Sequence, residues 1–204
     1  MQGDHTITEI TELSKSRYKI EVDGEYGFVL YRSELREYHI REGESLPEEF
    51  LEEILKEVLP RRAKLRGMNL LKSREYTEHQ LREKLRQGMY PERVIDEAIE
   101  YLRSYHYIDD RRYAKDYIVY YSDSRSRGRI EQDLLRKGIH RNLIRAVYEE
   151  DLGEEKLPDE VLLIKKLLDK KNYREESADY QEKQKMKAFL YRKGFSPDNI
   201  EKIL

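Results

Sequence analysis

The segment YHYIDDRRYAKDYI, residues 105–118, places two adjacent carboxylates in front of two arginines. Such a pair can bind a metal ion or act in acid–base catalysis, but it can also cap a helix by accepting hydrogen bonds from exposed backbone amides. Apolar side chains recur at helical spacing directly after Asp109-Asp110, which predicts a helix beginning there. The neighbourhood otherwise offers chiefly arginine, which repels cations, and a lone His106. We therefore predict that the two aspartates have a structural role as a helix cap.

The basic segment SRSRGR is a second candidate site. Arg125, Arg127 and Arg129 stand at the predicted start of a helix, and Arg136 and Lys137 stand at its end. Positive charge at a helix amino terminus gains nothing from the helix dipole, which favours anions there. Local stability thus does not explain the arrangement. From the residues alone, the segment is either a solvated loop that tolerates charge or a surface that binds an anionic partner.

Other site chemistries lack the residues that they need. The chain has no cysteine, so thiolate metal sites and disulfides are excluded. No two of the five histidines are four residues apart, and neither a Gly-Lys-Ser/Thr phosphate loop nor a Gly-x-Ser-x-Gly elbow occurs. We predict a protein that is not an enzyme and that uses no metal or other cofactor.

The composition favours several small helical units over one large core. Charged residues make up 40% of the 204 residues and hydrophobic ones 38%, against about 25% and 45–50% in typical globular domains. The net charge of −2 is unevenly distributed: residues 1–60 carry 7 basic and 15 acidic side chains (−8), and residues 61–150 carry 21 and 15 (+6). The middle of the chain therefore favours anionic partners.

The sequence predicts a soluble cytoplasmic protein without membrane contact. Its first ten residues lack the apolar core of a signal peptide. No stretch approaches the roughly 18 apolar residues that a membrane span needs.

The first third of the chain has β-strand patterns. Residues 17–31, RYKIEVDGEYGFVLY, alternate in hydrophobicity around Asp23-Gly24, which predicts a β-hairpin with a tight turn. HTITEITEL and YHIREGESL are expected to add extended segments, and Pro47 to open a helix. After Pro47 no convincing strand pattern occurs.

A helical repeat follows. LREKLRQGM, DLLRKGI and FLYRKGF superpose on Gly88, Gly138 and Gly194, which are 50 and 56 residues apart, as in solenoid-type repeats. Each glycine is expected to end a helix in the left-handed conformation. Thr77 with Gln80 forms a capping-box pattern in the first copy.

The superposition assigns residues of equal position to the three copies. Three residues before the glycines stand Leu85, Leu135 and Tyr191, and six residues after them stand Val94, Ile144 and Ile200. Pro91 and Pro197 are predicted to occupy the first position of the helices that follow. Further helices are predicted before each pair, at residues 61–72, 110–122 and 159–170.

These patterns predict a mostly α fold. It consists of three tandem three-helix repeats that form an elongated curved array, preceded by a small N-terminal domain that contains the β-hairpin. The predicted boundaries are residues 1–58 for the β-containing domain and residues 59–104, 105–152 and 153–204 for the repeats.

The segment YLRSYHYIDDRRYAKDYI, followed by SRSRGRIEQDLLRKGI, resembles the signature of the RecX family of bacterial recombinase regulators. The matching positions are Leu102, Tyr107, Asp109, Asp110, Arg111, Tyr113, Ala114, Arg127, Gly128, Lys137, Gly138 and Ile139. The resemblance implies three three-helix repeats, no catalysis, and binding to the RecA filament on single-stranded DNA. It further implies inhibition of RecA ATP hydrolysis, strand exchange and co-protease activity, and so a role in recombination, DNA repair and the SOS response. The acidic front domain and the charge-rich insert KNYREESADYQEKQK depart from the family pattern.

The resemblance favours binding over a merely solvated basic surface. The predicted partner-binding residues of this monomer are Arg82, Arg86, Arg125, Arg127, Arg129, Arg136, Lys137, Arg192 and Lys193. One alternative is a direct DNA-binding helical protein that uses the basic helix starts of the middle repeat, and another is a generic helical scaffold. Weak contact with single- or double-stranded DNA is compatible with both binding hypotheses, and salt-dependent affinity for bare DNA distinguishes them.

Overall fold

The computed structural model describes residues 4–153 and 157–204. The chain divides into two compact units, Met1–Ile108 and Asp109–Leu204. Apolar side chains of the first unit form one cluster, to which both the strands and the helices contribute. The second unit contains two clusters, one for each of its repeats. The predicted boundaries of the β-containing domain and of the three repeats stay our proposal.

An antiparallel sheet with the strand order β3-β2-β1-β4 opens the first unit. Its strands are β1 (His5–Ser14), β2 (Arg17–Val22), β3 (Glu25–Tyr31) and β4 (Ser45–Leu46). Asp23 and Gly24 have φ angles of 54° and 78°, the left-handed backbone that a two-residue hairpin turn requires. The predicted hairpin and both predicted additional extended segments are confirmed.

His5 ties the first strand to its surroundings. Its Nδ1 lies 2.6 Å from Asp23 Oδ2 and its Nε2 lies 2.8 Å from Glu48 Oε2. The hydrogen bonds to these two carboxylates raise the pKa of His5. Since Asp23 and Glu48 are 18 and 43 residues away in sequence, no local pattern indicates the contact.

The helices of the first unit follow the sheet. They are α1 (Arg32–Glu37), α2 (Glu48–Glu53), α3 (Leu59–Leu71), α4 (Glu78–Gln87) and α5 (Glu92–Ser104). A π-helical turn at Ile54–Val58 joins α2 to α3 without a break in helical backbone. Thr77 and Gln80 form the predicted capping box at the start of α4. The prediction that Pro91 is the first residue of α5 is wrong, because Pro91 is the N-cap and α5 begins at Glu92.

In the second unit all regular secondary structure of the described residues, 109–153 and 157–204, is helical. Its helices are α6 (Asp110–Tyr121), α7 (Arg127–Arg136), α8 (Arg141–Ala146), α9 (Glu160–Lys170), α10 (Tyr180–Arg192) and α11 (Pro197–Glu201). A π-helical turn, Val147–Asp151, extends α8, and a 3-10 turn, Glu175–Ser177, lies in the charge-rich insert. Pro197 is the first residue of α11, as predicted.

Asp109 is a helix cap, as predicted. Its side-chain oxygen accepts hydrogen bonds of 2.9 and 3.0 Å from the backbone amides of Arg111 and Arg112 in the first turn of α6. These amides have no partner within the helix, so the carboxylate satisfies them and also meets the positive end of the helix dipole. Asp109 is therefore explained by local structure, and Asp110 is the first residue of α6, where its negative charge faces the positive end of the helix dipole.

The first copy of the repeat ends its helix one residue later than predicted. The left-handed glycines are confirmed in the other copies, with φ of 85° at Gly138 and 87° at Gly194. In the first copy the left-handed residue is Met89, with φ of 61°, and Gly88 has φ of −77°. The prediction for Gly88 is therefore wrong. A Cβ at residue 88 would lie only 2.9 Å from the Tyr90 ring, so this glycine makes room for an aromatic side chain.

Buried leucines, rather than glycines, align the three copies. In each copy the carbonyl of a fully buried leucine accepts a hydrogen bond from the amide just past the left-handed residue, and these leucines are Leu85, Leu134 and Leu190. Our superposition instead placed Leu85 opposite Leu135 and Tyr191, although Tyr191 is 66% exposed. In the same way Ile95 occupies the position that we assigned to Val94. The core position of the leucine determines where each helix ends.

Replacing Met89 with glycine should raise the free energy of unfolding by about 0.5–1 kcal/mol, because a residue with a Cβ is strained in the left-handed region. Gly138→Ala provides the matched control and should lower it by about 1 kcal/mol. Urea unfolding followed by circular dichroism measures both changes. A loss of stability in Met89→Gly would show that contacts of the half-buried methionine outweigh the backbone strain.

Candidate partner-binding site

A buried aspartate organises the arginines around α7. The Asp133 side chain is 7% exposed and lies 2.7 Å from Arg125 Nη1 and 3.4 Å from Arg129 Nε. Arg136, one turn further along α7, also pairs with it. Residues three and four apart on a helix face each other, which brings Arg129 and Arg136 to the same carboxylate.

The charge of Asp133 is stabilised by these partners. Burial acts to raise the pKa of Asp133, but the hydrogen bond from Arg136 and the positive charges of Arg129 and Arg125 outweigh it, so the pKa is lowered. Arg125 gains two further contacts, a 2.9 Å hydrogen bond to the Tyr117 hydroxyl and a position 3.6 Å from the centre of the Tyr121 ring. The inference that local stability does not explain this arginine cluster is therefore wrong in part.

Arg127 and Lys137 also have local partners. Arg127 pairs with Glu131 at 2.8 Å, and its guanidinium lies 4.2 Å from the centre of the Tyr148 ring. Its backbone amide donates to Glu160 at 2.9 Å, so a carboxylate already occupies the amino terminus of α7. The Lys137 ammonium lies over the ring of Tyr117 at 5.2 Å. Both side chains thus stabilise the second repeat.

The amino terminus of α7 packs tightly against the turn between α10 and α11. Ser126 caps α7 by accepting from the Arg129 amide, and its hydroxyl donates to the Lys193 carbonyl at 2.7 Å. A Cβ on Gly128 would lie 2.5 Å from the Gly194 carbonyl oxygen. Only glycine permits such a close approach of two backbones. This contact fixes the third repeat against the second.

A basic groove forms beside this contact. It has a volume of about 580 Å³ and is lined by Ser124, Arg125, Ser126, Arg129, Leu167, Phe189, Arg192, Lys193 and Phe195. The Arg192 guanidinium is exposed and makes no ion pair with any residue in 4–153 or 157–204. The Lys193 ammonium lies 5.6 Å from the centre of the Phe189 ring. The groove therefore combines positive charge with apolar surface.

Arg82 and Arg86 lie in the first unit and are already paired. Arg82 contacts Glu78 at 2.9 Å and Asp96 at 2.6 Å, and its side chain is 23% exposed. Arg86 contacts Glu92 at 2.6 Å and also Glu83. The charge of both guanidiniums is thus largely neutralised by neighbours on α4 and α5.

The structure divides the predicted partner-binding residues into three groups, the first of which is Arg82 and Arg86 in the first unit. Those that line the groove are Arg125, Arg129, Arg192 and Lys193. Arg127, Arg136 and Lys137 belong to the second repeat but do not line the groove. The sequence analysis missed Asp133 as the common partner, although its spacing of four residues from Arg129 and three from Arg136 indicates ion pairs on one helix face. No sequence signal indicates the apolar lining from the third repeat.

The described part of the chain holds neither a cluster of metal ligands nor a membrane-spanning helix. Within residues 4–153 and 157–204, no group of three histidine, aspartate or glutamate side chains is placed to hold a metal ion. No helix in these ranges is both long and apolar enough to cross a lipid bilayer.

Comparison with known proteins links the fold to one family. Models of the first, second and third three-helix domains of RecX match residues 63–102, 109–147 and 159–204. A regulatory protein RecX of Caldanaerobacter subterraneus subsp. tengcongensis is 33% identical over 97% of this chain and 98% of its own length. The regulatory protein RecX of Bacillus cytotoxicus is 30% identical over 96% of this chain and 74% of its own length.

Two solved structures of RecX proteins have a fold similar to that of this chain. A crystal structure of regulatory protein RecX has a TM-score of 0.63 at 28% identity and covers 97% of both chains. That of RecX from Lactobacillus salivarius has a TM-score of 0.60 at 24% identity, covers 72% of this chain and 94% of its own, and shows the common fold.

Proposed function

This chain belongs to the RecX family, as the sequence resemblance predicted, and from this membership we propose that it is a non-enzymatic regulator of the RecA recombinase. In this proposal it binds the RecA filament on single-stranded DNA and inhibits ATP hydrolysis, strand exchange and co-protease activity. It thereby modulates recombination, DNA repair and the SOS response from the cytoplasm. The observation that carries the proposal is the match of all three RecX three-helix domains, in order, along one chain. Relatives named regulatory proteins support regulation over catalysis.

The proposed contact surface is the basic groove of the second unit. Arg129, Arg192 and Lys193 offer positive charge to acidic side chains or phosphates of the filament, and Phe189 offers apolar contact. Arg125 lines the groove too, but its guanidinium is held by Asp133 and Tyr117. Its substitution would therefore disturb the fold as well as the contact.

The other predicted residues stay in the proposal as secondary contacts. Each of Arg82, Arg86, Arg127, Arg136 and Lys137 has a partner in its own unit. Before such a side chain can bind the filament, it must lose or share that partner, which reduces the net gain.

Titration of RecA ATP hydrolysis on single-stranded DNA tests the proposed function. We expect inhibition at amounts of this protein well below one per RecA subunit, because blocking filament growth or bridging subunits acts on many subunits at once. A null result with demonstrably active RecA would remove the proposed function and leave the fold unchanged.

The double substitution Arg192→Gln and Lys193→Gln should raise the concentration for half-inhibition about fivefold to tenfold, through loss of two exposed charge contacts. The matched control is Arg141→Gln with Lys170→Gln, which removes the same charges from exposed positions outside the groove. Unfolding transitions of both variants should equal that of the wild type. Equal inhibition by all three proteins would exclude the groove as the contact surface.

Direct DNA binding through the middle repeat is the second candidate. It is favoured by the half-exposed guanidiniums of Arg127 and Arg129, whose side chains are 47% and 48% exposed at the start of α7. Against it, Glu160 already occupies the amino terminus of α7, and a phosphate there would meet a like charge. Affinity for bare duplex DNA that falls steeply with salt and is lost on substitution of these arginines would support this candidate.

A further inference from the structure

A second basic pocket lies within the first unit, between the sheet and the first repeat. It has a volume of about 390 Å³ and is lined by Arg17, Val29, Tyr31, Arg62, Arg66, Lys84, Gln87, Gly88, Met89 and Tyr90. The lining comes from β2, β3, α3 and the end of α4. Among the described residues, four cationic side chains and no carboxylate line the pocket. The first strands of the chain therefore complete a cationic cavity against the helices.

Three of these cations are not neutralised by acidic side chains. Among residues 4–153 and 157–204, Arg17, Arg66 and Lys84 form no ion pair, and Lys84 donates only to the Gln87 amide oxygen, at 3.2 Å. A shortage of carboxylates does not explain this, since residues 1–60 alone contain 15 acidic side chains. Unpaired like charges around one cavity repel each other, so the arrangement costs stability unless an anion enters.

Two of the arginines are held in place by backbone carbonyls. Arg62 donates to the Val29 carbonyl at 2.9 Å and pairs with Glu34, while Arg17 reaches the Gly88 carbonyl at 3.4 Å. The bond from Arg17 also covers a carbonyl at the negative end of α4, which would otherwise oppose an anion.

The excess of positive charge in the pocket acts on the Tyr90 hydroxyl. Burial raises the pKa of the Tyr90 hydroxyl, and the guanidiniums of Arg62, Arg66 and Arg17 act against that increase. Three positive charges therefore act on the hydroxyl group of one partly buried tyrosine.

An exposed aromatic ring stands beside the cations. Tyr31 is 42% exposed, and the Arg62 guanidinium lies 4.7 Å from the centre of its ring. Guanidinium and ammonium groups bind phosphate oxygens, and aromatic rings stack on nucleobases. A nucleotide presents both groups within a few ångströms of each other.

We propose that this pocket binds the phosphate of a nucleotide with Arg17, Arg66 and Lys84, and that the attached base lies against Tyr31. The nucleotide belongs to a single-stranded nucleic acid or is a free nucleoside phosphate. This binding does not require RecA, so the proposal goes beyond the proposed regulatory function and is tested without the recombinase.

The test uses the full chain and two probes. Fluorescence anisotropy of a labelled oligothymidylate reports strand binding, and isothermal titration with a nucleoside triphosphate reports binding of a free nucleotide. The test variant carries Arg66→Gln and Lys84→Gln. Its matched control carries Arg61→Gln and Lys72→Gln, one arginine and one lysine exposed on or next to α3 and outside the pocket lining. Thermal unfolding verifies that both variants fold.

We expect the test variant to bind the oligonucleotide about tenfold more weakly, while the control binds like the wild type. The slope of log affinity against log salt should decrease by about 0.7, since one neutralised phosphate on a single strand contributes about 0.7. Tyr31→Ala should also weaken binding, whereas Tyr31→Phe should not, because the ring is kept.

Two outcomes support the proposal and separate the sources of the nucleotide. If the substitutions at Arg66 and Lys84 weaken binding of the oligonucleotide alone, the pocket binds a nucleic-acid strand. If they weaken binding of the triphosphate, the pocket binds a free nucleotide. The proposal is overturned if neither probe binds the wild type, or if the test variant and its control bind equally well.

Discussion

Replacing Gly128 with valine should lower the free energy of unfolding of the second unit by about 3 kcal/mol. The added Cβ would lie 2.5 Å from the Gly194 carbonyl oxygen, a backbone atom that cannot move aside as a flexible side chain can. Overpacking of this kind typically costs 1–3 kcal/mol, and the larger valine side chain belongs at the upper end. Urea unfolding gives the change in stability. Hydrogen exchange at Leu134 and Leu190 shows whether both repeats loosen.

The sign of the Gly128→Ala effect provides a sharper test of the same contact. In an isolated helix, alanine is more stable than glycine by about 1 kcal/mol. The close approach to Gly194 predicts the opposite sign, a net loss of about 1 kcal/mol. Gln132→Ala, at an exposed position of α7, is the control and should change stability by less than about 0.5 kcal/mol. A stabilised Gly128→Ala protein would contradict the packing of the two repeats.

The second large effect is expected at Asp133. Asp133→Asn should lower the free energy of unfolding by about 2 kcal/mol, because it leaves Arg125, Arg129 and Arg136 without their common counterion. Loss of one member of a fully buried ion pair costs about 3–5 kcal/mol. The three arginine side chains are 33–62% exposed and regain hydration, so we expect a smaller loss.

The contribution of Asp133 should depend on pH in a defined direction. Its pKa in the folded protein is lowered from the ordinary value of 3.8. The ionised carboxylate therefore stabilises the fold above about pH 4, and this contribution disappears as the pH falls through the lowered pKa. The stability difference between wild type and Asp133→Asn should be constant from pH 7 to about pH 5 and should shrink below pH 4. Asp123→Asn removes a carboxylate from an exposed position before α7 and serves as the control for the change in net charge.

Together, the two effects connect the fold to the proposed function. The contact between Gly128 and Gly194 brings Arg192 and Lys193 to the same groove as Arg129, and Asp133 holds Arg125 and Arg129 in place. Gly128→Val should therefore also weaken inhibition of RecA, although it changes no charge. Its effect should exceed that of the control Gln132→Ala at an exposed position of the same helix.

Local sequence was sufficient for the features whose energetics are local. The hairpin turn at Asp23-Gly24, the cap at Asp109 and the capping box at Thr77 each depend on residues within a few positions of each other. Turn and cap preferences follow from backbone conformation and orphan amide groups, which a short segment defines by itself. The order of helices and the family resemblance could be predicted for the same reason.

The position of Gly88 shows where local inference fails. A glycine near a helix end predicts a left-handed cap, yet Met89 takes that conformation and α4 continues through Gln87. The reason is tertiary, because the helix must place Leu85 in the core and leave room for the Tyr90 ring. Burial of a leucine contributes about 1.5–3 kcal/mol, which exceeds the strain of one left-handed residue.

The sequence by itself determined the kinds of elements, their order and the excess of basic residues in the middle of the chain. Only the tertiary structure decided which cations share a surface and which are neutralised. Arg125 and Arg192 are 67 residues apart and line one groove, and Arg17 and Lys84 line one pocket. Charges act through space, and packing of apolar faces decides which segments become neighbours. Spacing along the chain therefore identifies basic residues, whereas the fold selects those that are available for binding.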